Sequence, residues 1–202
     1  GSGTEFLKLS GKKRLRFLPP KPGKNSPFQI LFNHYIKFAA DKVVVFNCPR
    51  VMAKKRCPAC EQGDQLMGSS HPADQARAKE FTARPRILAN VIDRDNPEKG
   101  PVPAAFPKSV KSELDNFFED PEWGDFTSPY GPKDIEKLRD KIPEEQMPSA
   151  GYDIVINRTG TTMVDTRYDV KGAKTCTPLS EDKAEAQDWI DAPRIVLPDG
   201  PE

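Results

Sequence analysis

Hydrophobic and polar positions along this chain follow short repeats more often than helical ones. In Lys13-Arg14-Leu15-Arg16-Phe17-Leu18, Leu15 and Phe17 fall on one face while Arg14 and Arg16 fall on the other. That period of two predicts a half-buried strand, which Pro19-Pro20 stops. Residues 19–27 carry Pro, Gly and Lys and read as a loop. A mixed segment follows from Phe28 to Phe38, and residues 42–47 form a third strand dense in β-branched side chains. After a cysteine-bearing loop at 48–62, residues 72–83 read as a short helix and 84–94 return to strand.

The second half is more broken. A Pro/Gly-rich connection spans 96–107. Pro107 then opens the clearest helix, where Val110, Leu114, Phe117 and Phe118 recur at i, i+4, i+7 and i+8. Residues 119–151 are acidic and punctuated by Pro and Gly, with a short helix at 134–141. Segments 152–157 and 162–170 flank Arg158-Thr159-Gly160-Thr161 as a hairpin. Beyond Thr177 the chain reads as a loosely ordered acidic tail, with Trp189 and Ile190 as its docking points. Five or six strands, few helices and long irregular connections predict a mostly β fold with minor α: an OB-type small, partly open barrel.

Composition narrows this further. Proline is 21 of 202 residues, about twice the ~5% average, which argues against helical bundles and solenoids. Residues 43–46 are the longest purely apolar run, far short of the ~20 residues a membrane helix needs. Gly1-Ser2-Gly3-Thr4 reads as a cloning scar, with no signal peptide behind it, so the expected setting is intracellular.

The net charge of +1 hides an uneven distribution. Residues 5–94 carry a net +11, 95–180 carry −5 and 181–202 carry −5. A basic first half suits a polyanion, and the acidic end could compete for the same surface. The candidate contacts are Arg14, Arg16, Lys37, Lys42, Arg84 and Arg86, with Tyr35, Tyr152 and Tyr168 as stacking rings. Tyrosine is preferred to phenylalanine here because its hydroxyl tolerates a wet rim.

Three of the four cysteines, Cys48, Cys57 and Cys60, lie within 13 residues, a density typical of metal sites. Cys57-Pro58-Ala59-Cys60 is a knuckle that can turn two thiolates toward one ion, and Cys48 supplies a third. His34 completes a Cys3His set, a closed structural zinc sphere; His71, which precedes Pro72, is the rival fourth ligand. Cys176 stands apart as a plain, partly buried thiol. Two histidines, with no HExxH, GxxxxGK[ST] or GxSxG, leave no catalytic constellation, so no enzyme is expected.

Four stretches together resemble the single-stranded-DNA-binding proteins of T-even and related phages. They are Phe6-Leu7-Lys8-Leu9 with 14–19; His34-Tyr35-Ile36 with Cys48-Pro49-Arg50 and 57–61; Arg86 to Asp93; and Gly124-Asp125-Phe126-Thr127 with Gly131-Pro132, 153–156 and 166–170. The resemblance spans residues 5–170 and implies an OB fold with an inserted zinc subdomain at about 33–62, within a binding domain at 5–176. It implies one structural Zn2+ on His34, Cys48, Cys57 and Cys60, and coating of single-stranded DNA during phage replication, recombination and repair in the cytoplasm of the infected host. It also implies that the acidic tail, 177–202, recruits replication or recombination proteins. Two features depart from the family. No basic N-terminal arm of the kind used for head-to-tail cooperativity is seen, so a monomer or weak self-association on DNA is expected. Residues 133–151 look like an insertion without an assigned role. A zinc-bearing protein–protein adaptor and an RNA-binding OB protein are the alternative readings.

Overall fold

The structure, a computed structural model, describes residues 6–37, 39, 42–162 and 164–193; the end of the expected tail, 194–202, and the segment 1–4 lie outside them. In chain order the strands are β1 (Gly11–Phe17), β2 (Gln29–Lys37), β3 (Val43–Asn47), β4 (Arg84–Asp93), β5 (Val102–Phe106), β6 (Tyr152–Thr159) and β7 (Arg167–Cys176). The α-helices are α1 (Pro49–Ala53), α2 (Pro58–Met67), α3 (Pro72–Ala78), α4 (Lys108–Glu119), α5 (Pro132–Leu138) and α6 (Lys183–Asp191). Helices hold nearly as many residues as strands. The fold is therefore mixed α/β, and the expectation of a mostly β chain with minor α is corrected. The excess comes from α1, α2 and α6, whose segments had read as loop or tail because proline starts the first two.

Two compact units divide the described chain, one built from residues up to Gln29 and from Ile87 onward, the other from Ile30–Arg86. In the first, β4, β5, β1, β6 and β7 form an antiparallel sheet in the order β5-β4-β1-β6-β7. The sheet is open: no pairing between β5 and β7 closes it among the described residues. β5 had been hidden inside the Pro/Gly-rich connection, since Val102-Pro103-Ala104-Ala105-Phe106 has neither alternation nor β-branched density.

Pleating explains the core of this unit. Leu15, Phe17, Ile154 and Ile156 point to one face and are essentially fully buried, with Val91 and Phe106 beside them. Helix α4 covers that face through Val110 and Leu114, both 0% exposed, as its 3.6-residue spacing predicts. Phe126 fills the remaining space, edge-on to Phe17 at 5.3 Å between ring centroids. A second cluster joins Leu18, Ile92, Leu179, Ala186 and Trp189, so the segment after Thr177 is folded against the sheet rather than loose as far as Asp191.

In the second unit, β2 and β3 pair antiparallel with Tyr35 opposite Val45 and Lys37 opposite Val43. Phe32, Ile36, Phe46, Phe81 and Ala83 pack around Cys48, Cys57 and Ala59. No helix among the described residues is long and apolar enough to cross a membrane.

Candidate metal centre and nucleic-acid surface

Three local structures deliver four donor groups to one point. His34 sits on β2, paired with Phe46 of β3, whose ring lies 5.1 Å away and tilted by 32°. Cys48 follows β3 directly, its N–H donating to the Phe32 carbonyl at 2.6 Å, and it caps α1. Cys57 caps α2, and Cys60 lies in the first turn of that helix. Pro49 and Pro58 occupy the first helical positions, where a missing N–H costs nothing, so each helix starts immediately after its cysteine.

His34 Nε2 lies 3.3 Å from Cys57 Sγ and 3.5 Å from Cys60 Sγ, and Cys48 Sγ is 3.5 Å from Cys60 Sγ. All four donor atoms fall within 4.8 Å of one another. A tetrahedron with metal–sulfur bonds of about 2.3 Å and metal–nitrogen bonds of about 2.0–2.1 Å has edges of about 3.5–3.8 Å, so the donor set has the size of a metal sphere. His34, Cys48 and Cys57 are 0% exposed, and the shell around them is apolar.

Electrostatics supports the same reading. Burial pushes the Cys60 thiol up to about 12, and the neighbouring Cys48 and Cys57 sulfurs add to the effect. Burial also opposes ionisation of Cys57, yet its pKa falls, because the backbone N–H groups of Cys60 and Ala59 and the two other thiols hydrogen-bond its sulfur. Three thiolates crowded in a dry pocket repel one another unless a cation sits among them. Burial lowers the pKa of His34, partly opposed by the Phe81 backbone, keeping the ring neutral as a ligand requires. The cluster can therefore hold one metal ion. His71 is exposed, caps α3 and is not part of it.

The residues expected to contact nucleic acid separate into three groups. Arg16 and Tyr152 are buried, which corrects their assignment. Arg16 is 0% exposed and donates through Nη2 to the carbonyls of Ser128 at 2.6 Å and Thr177 at 2.9 Å. Its alternation partner Arg14 is solvated, but the outer face of the sheet at Arg16 is covered by 128 and 177. Burial brings the Arg16 pKa down to about 10, against the pull of Asp153, so the side chain stays charged at neutral pH. Tyr152 is 2% exposed and packs among Trp123 and Phe126. Its hydroxyl is pushed up because it is buried.

A second group is half-buried. Tyr168 packs against the core of the first unit, and Arg86 is partly covered and already engaged. The third group is exposed. Arg14 is open to solvent in the first unit, although 3.9 Å from Asp153. Tyr35, Lys37, Lys42 and Arg84 are exposed in the second. Strand register adds residues that the sequence pattern did not single out. Arg14, Val155 and Lys171 form one cross-strand row on the outer face, and Lys12, Asn157 and Asp169 form the next. Lys12 and Lys171 had no signal in the sequence, because only the pairing of β1, β6 and β7 aligns them with Arg14.

A family model described as "gp32 DNA binding protein like" matches residues 10–192. No curated protein matches the chain.

Proposed function

Because the chain belongs to the gp32-like family of DNA-binding proteins, whose members bind single-stranded DNA and are not enzymes, we propose that it coats single-stranded DNA by a basic, aromatic-bearing surface on a zinc-stabilised scaffold. The family match over residues 10–192 carries this reading, and the exposed cations support it. Arg14, Lys12 and Lys171 would take phosphates on the first unit, and Lys37, Lys42 and Arg84 on the second. Tyr35 is the preferred stacking ring: it is 39% exposed and shares a strand face with Lys37. Tyr168 on the first unit and Arg86 on the second, both half-buried, would contribute less. In this reading the meandering sheet is a divergent OB-type barrel and Ile30–Arg86 its inserted zinc unit.

Zinc suits the donor set best. Three thiolates and one imidazole form a closed tetrahedral sphere with no position left for a substrate, and so a structural rather than a catalytic ion. Phage replication, recombination and repair in the infected cell are the settings this reading implies, with acidic residues of the C-terminal segment as the contact for partner proteins.

Fluorescence anisotropy over a salt series, with single-stranded DNA, duplex and RNA, tests the function. Single strands should bind well above duplex, with log affinity falling linearly in log salt at about −0.7 per phosphate neutralised. Lys171→Ala should flatten that slope by up to about 0.7, and Tyr35→Ala should weaken binding with the slope unchanged. Equal binding of duplex would overturn the reading, and preference for RNA would transfer it to the RNA-binding alternative.

A further inference from the structure

Trp123, between α4 and α5, is a partly open indole held in a fixed pose. It is 38% exposed. Phe117 of α4 meets it edge-on at 5.0 Å between ring centroids, and Tyr152 of β6 lies against it at 5.6 Å. On a third side the ring rests on Gly172 of β7, where any Cβ would collide with it. Gly172 pairs with Ile154, so the indole lies on the α4 face of the sheet, opposite the row of Arg14, Val155 and Lys171. A large ring fixed in this way loses little freedom when a partner covers it, which is what makes tryptophan a strong anchor at interfaces.

The chain around the ring carries negative charge only. From Asp115 to Asp125 there are five carboxylates and no lysine or arginine. Three of them are engaged locally: Asp115 pairs with Lys111, Asp120 accepts from the Glu122 N–H at 2.9 Å, and Asp125 accepts from Thr127. Glu119 and Glu122 are exposed, and among the described residues no cation takes either one. Glu122 adjoins Trp123, and Glu119 ends α4 one turn earlier, a turn closed by the Trp123 N–H donating to the Asp120 carbonyl at 3.1 Å. A phosphate is repelled from such a place, so the ring does not suit a nucleic-acid strand.

We propose that Trp123, Glu119 and Glu122 form a docking point for an arginine-bearing segment of another protein. A guanidinium is planar and weakly hydrated; it stacks on an indole face while its in-plane N–H groups reach carboxylates beside the ring. Lysine offers a point charge with no plane to stack, and an apolar side chain leaves both carboxylates unanswered. Charge complementarity thus selects a cation, and the indole selects arginine among the cations. The site lies across the sheet from Lys12, Arg14 and Lys171, so it does not rest on the DNA-binding reading and is open whether or not a strand is bound.

Titration of the full, nitrogen-15-labelled chain with a capped tetra-arginine peptide tests this. The reporter is the Trp123 indole N–H signal, identified by its absence in Trp123→Phe. It should shift saturably with tetra-arginine, and tetra-lysine should bind at least about fivefold more weakly. Glu119→Gln together with Glu122→Gln, two exposed changes that leave the packing of the ring alone, should weaken the tetra-arginine response at least about fivefold. Glu185→Gln with Asp188→Asn, on the acidic helix α6, should leave it unchanged. A signal that does not move, that answers equally to tetra-lysine, or that keeps its response in the Glu119/Glu122 variant would overturn the proposal. Movement of the same signal on adding oligothymidylate would overturn it too, by placing bases rather than a protein segment at the ring.

Discussion

At Cys57 one atom carries most of the chemistry of the second unit. Its sulfur accepts backbone N–H groups from the helix it caps and faces His34 at 3.3 Å. Because the four donors come together only in the folded chain, the binding energy of an ion held among them would be folding energy. Cys57→Ser should lose the metal and lower the melting temperature, whereas Cys176→Ser, at a half-buried thiol outside the cluster, should change neither. Metal analysis of protein purified without chelator checks this, with one zinc per chain expected in the parent. His71→Ala should retain the metal and His34→Ala should not. In the first unit, the equivalent single-residue constraint is Gly151. A Cβ there would collide with the Ser128 carbonyl oxygen and with Arg16 Nη2. Gly151→Ala should therefore cost at least the ~1–3 kcal/mol of an overpacked core, measured by urea unfolding, since backbone cannot yield as a side-chain tip can.

The elements depend on how they are fastened. Helix α6 is tied to its unit twice. Leu179 and Trp189 pack on Leu18 and Ile92, while Arg94 donates to the carbonyls of Leu179 at 2.8 Å and Pro178 at 3.0 Å. Arg94 is itself held by Asp153 at 3.0 Å, and Arg16 holds Thr177 from the same side. Asp182 accepts from the N–H groups of Ala184 and Glu185 and starts the helix. Trp189→Ala should cost about 3–5 kcal/mol and Asp182→Ala about 0.5–2 kcal/mol, read from denaturant midpoints. Strand β1 is fastened to β4 by a different device. Lys13 meets Asp93 at 2.9 Å, and although burial opposes it, this pairing and hydrogen bonds from Asp95 and Asn96 hold the Asp93 carboxyl below its ordinary 3.8. A depressed carboxylate stabilises above its unfolded pKa and loses that contribution as pH falls through the folded value. Asp93→Asn should accordingly be less stable at neutral pH and show a shallower loss of stability below about pH 4, followed by circular dichroism.

On the scale of the whole molecule, charge is distributed by folding as much as by sequence. The negative end of the chain is mostly on α6 and its approach: Glu181, Asp182, Glu185, Asp188 and Asp191 are fixed on a docked helix, not carried on a free tail. Deleting residues 177–202 would remove Leu179 and Trp189 from the core, cost the buried Arg16 one of its two carbonyl acceptors and leave Arg94 without both of its own. That deletion therefore tests folding before it tests competition with DNA. Glu185→Gln together with Asp188→Asn tests competition alone. Affinity for single-stranded DNA should rise at low salt, and the gain should vanish as salt screens it.

The gathering of His34, Cys48, Cys57 and Cys60 into one donor cluster was legible in the sequence, because ligand chemistry is local: thiols and an imidazole at short, stiff spacings leave few alternatives. His34 over His71 was also readable, from its place beside the strand that delivers Cys48. Helix α4 and strands β1, β4 and β6 followed from periodicity, since their partners bury one side. The sequence did not reveal which cations face solvent. Arg14 and Arg16 alternate identically on paper, yet one is exposed and the other is sealed beneath Ser128 and Thr177, residues more than a hundred positions away. Tyr152 lost its place at the rim for the same reason, once Trp123 and Phe126 closed over it. Periodicity reports that a strand has two faces; only long-range packing determines whether the second face meets water.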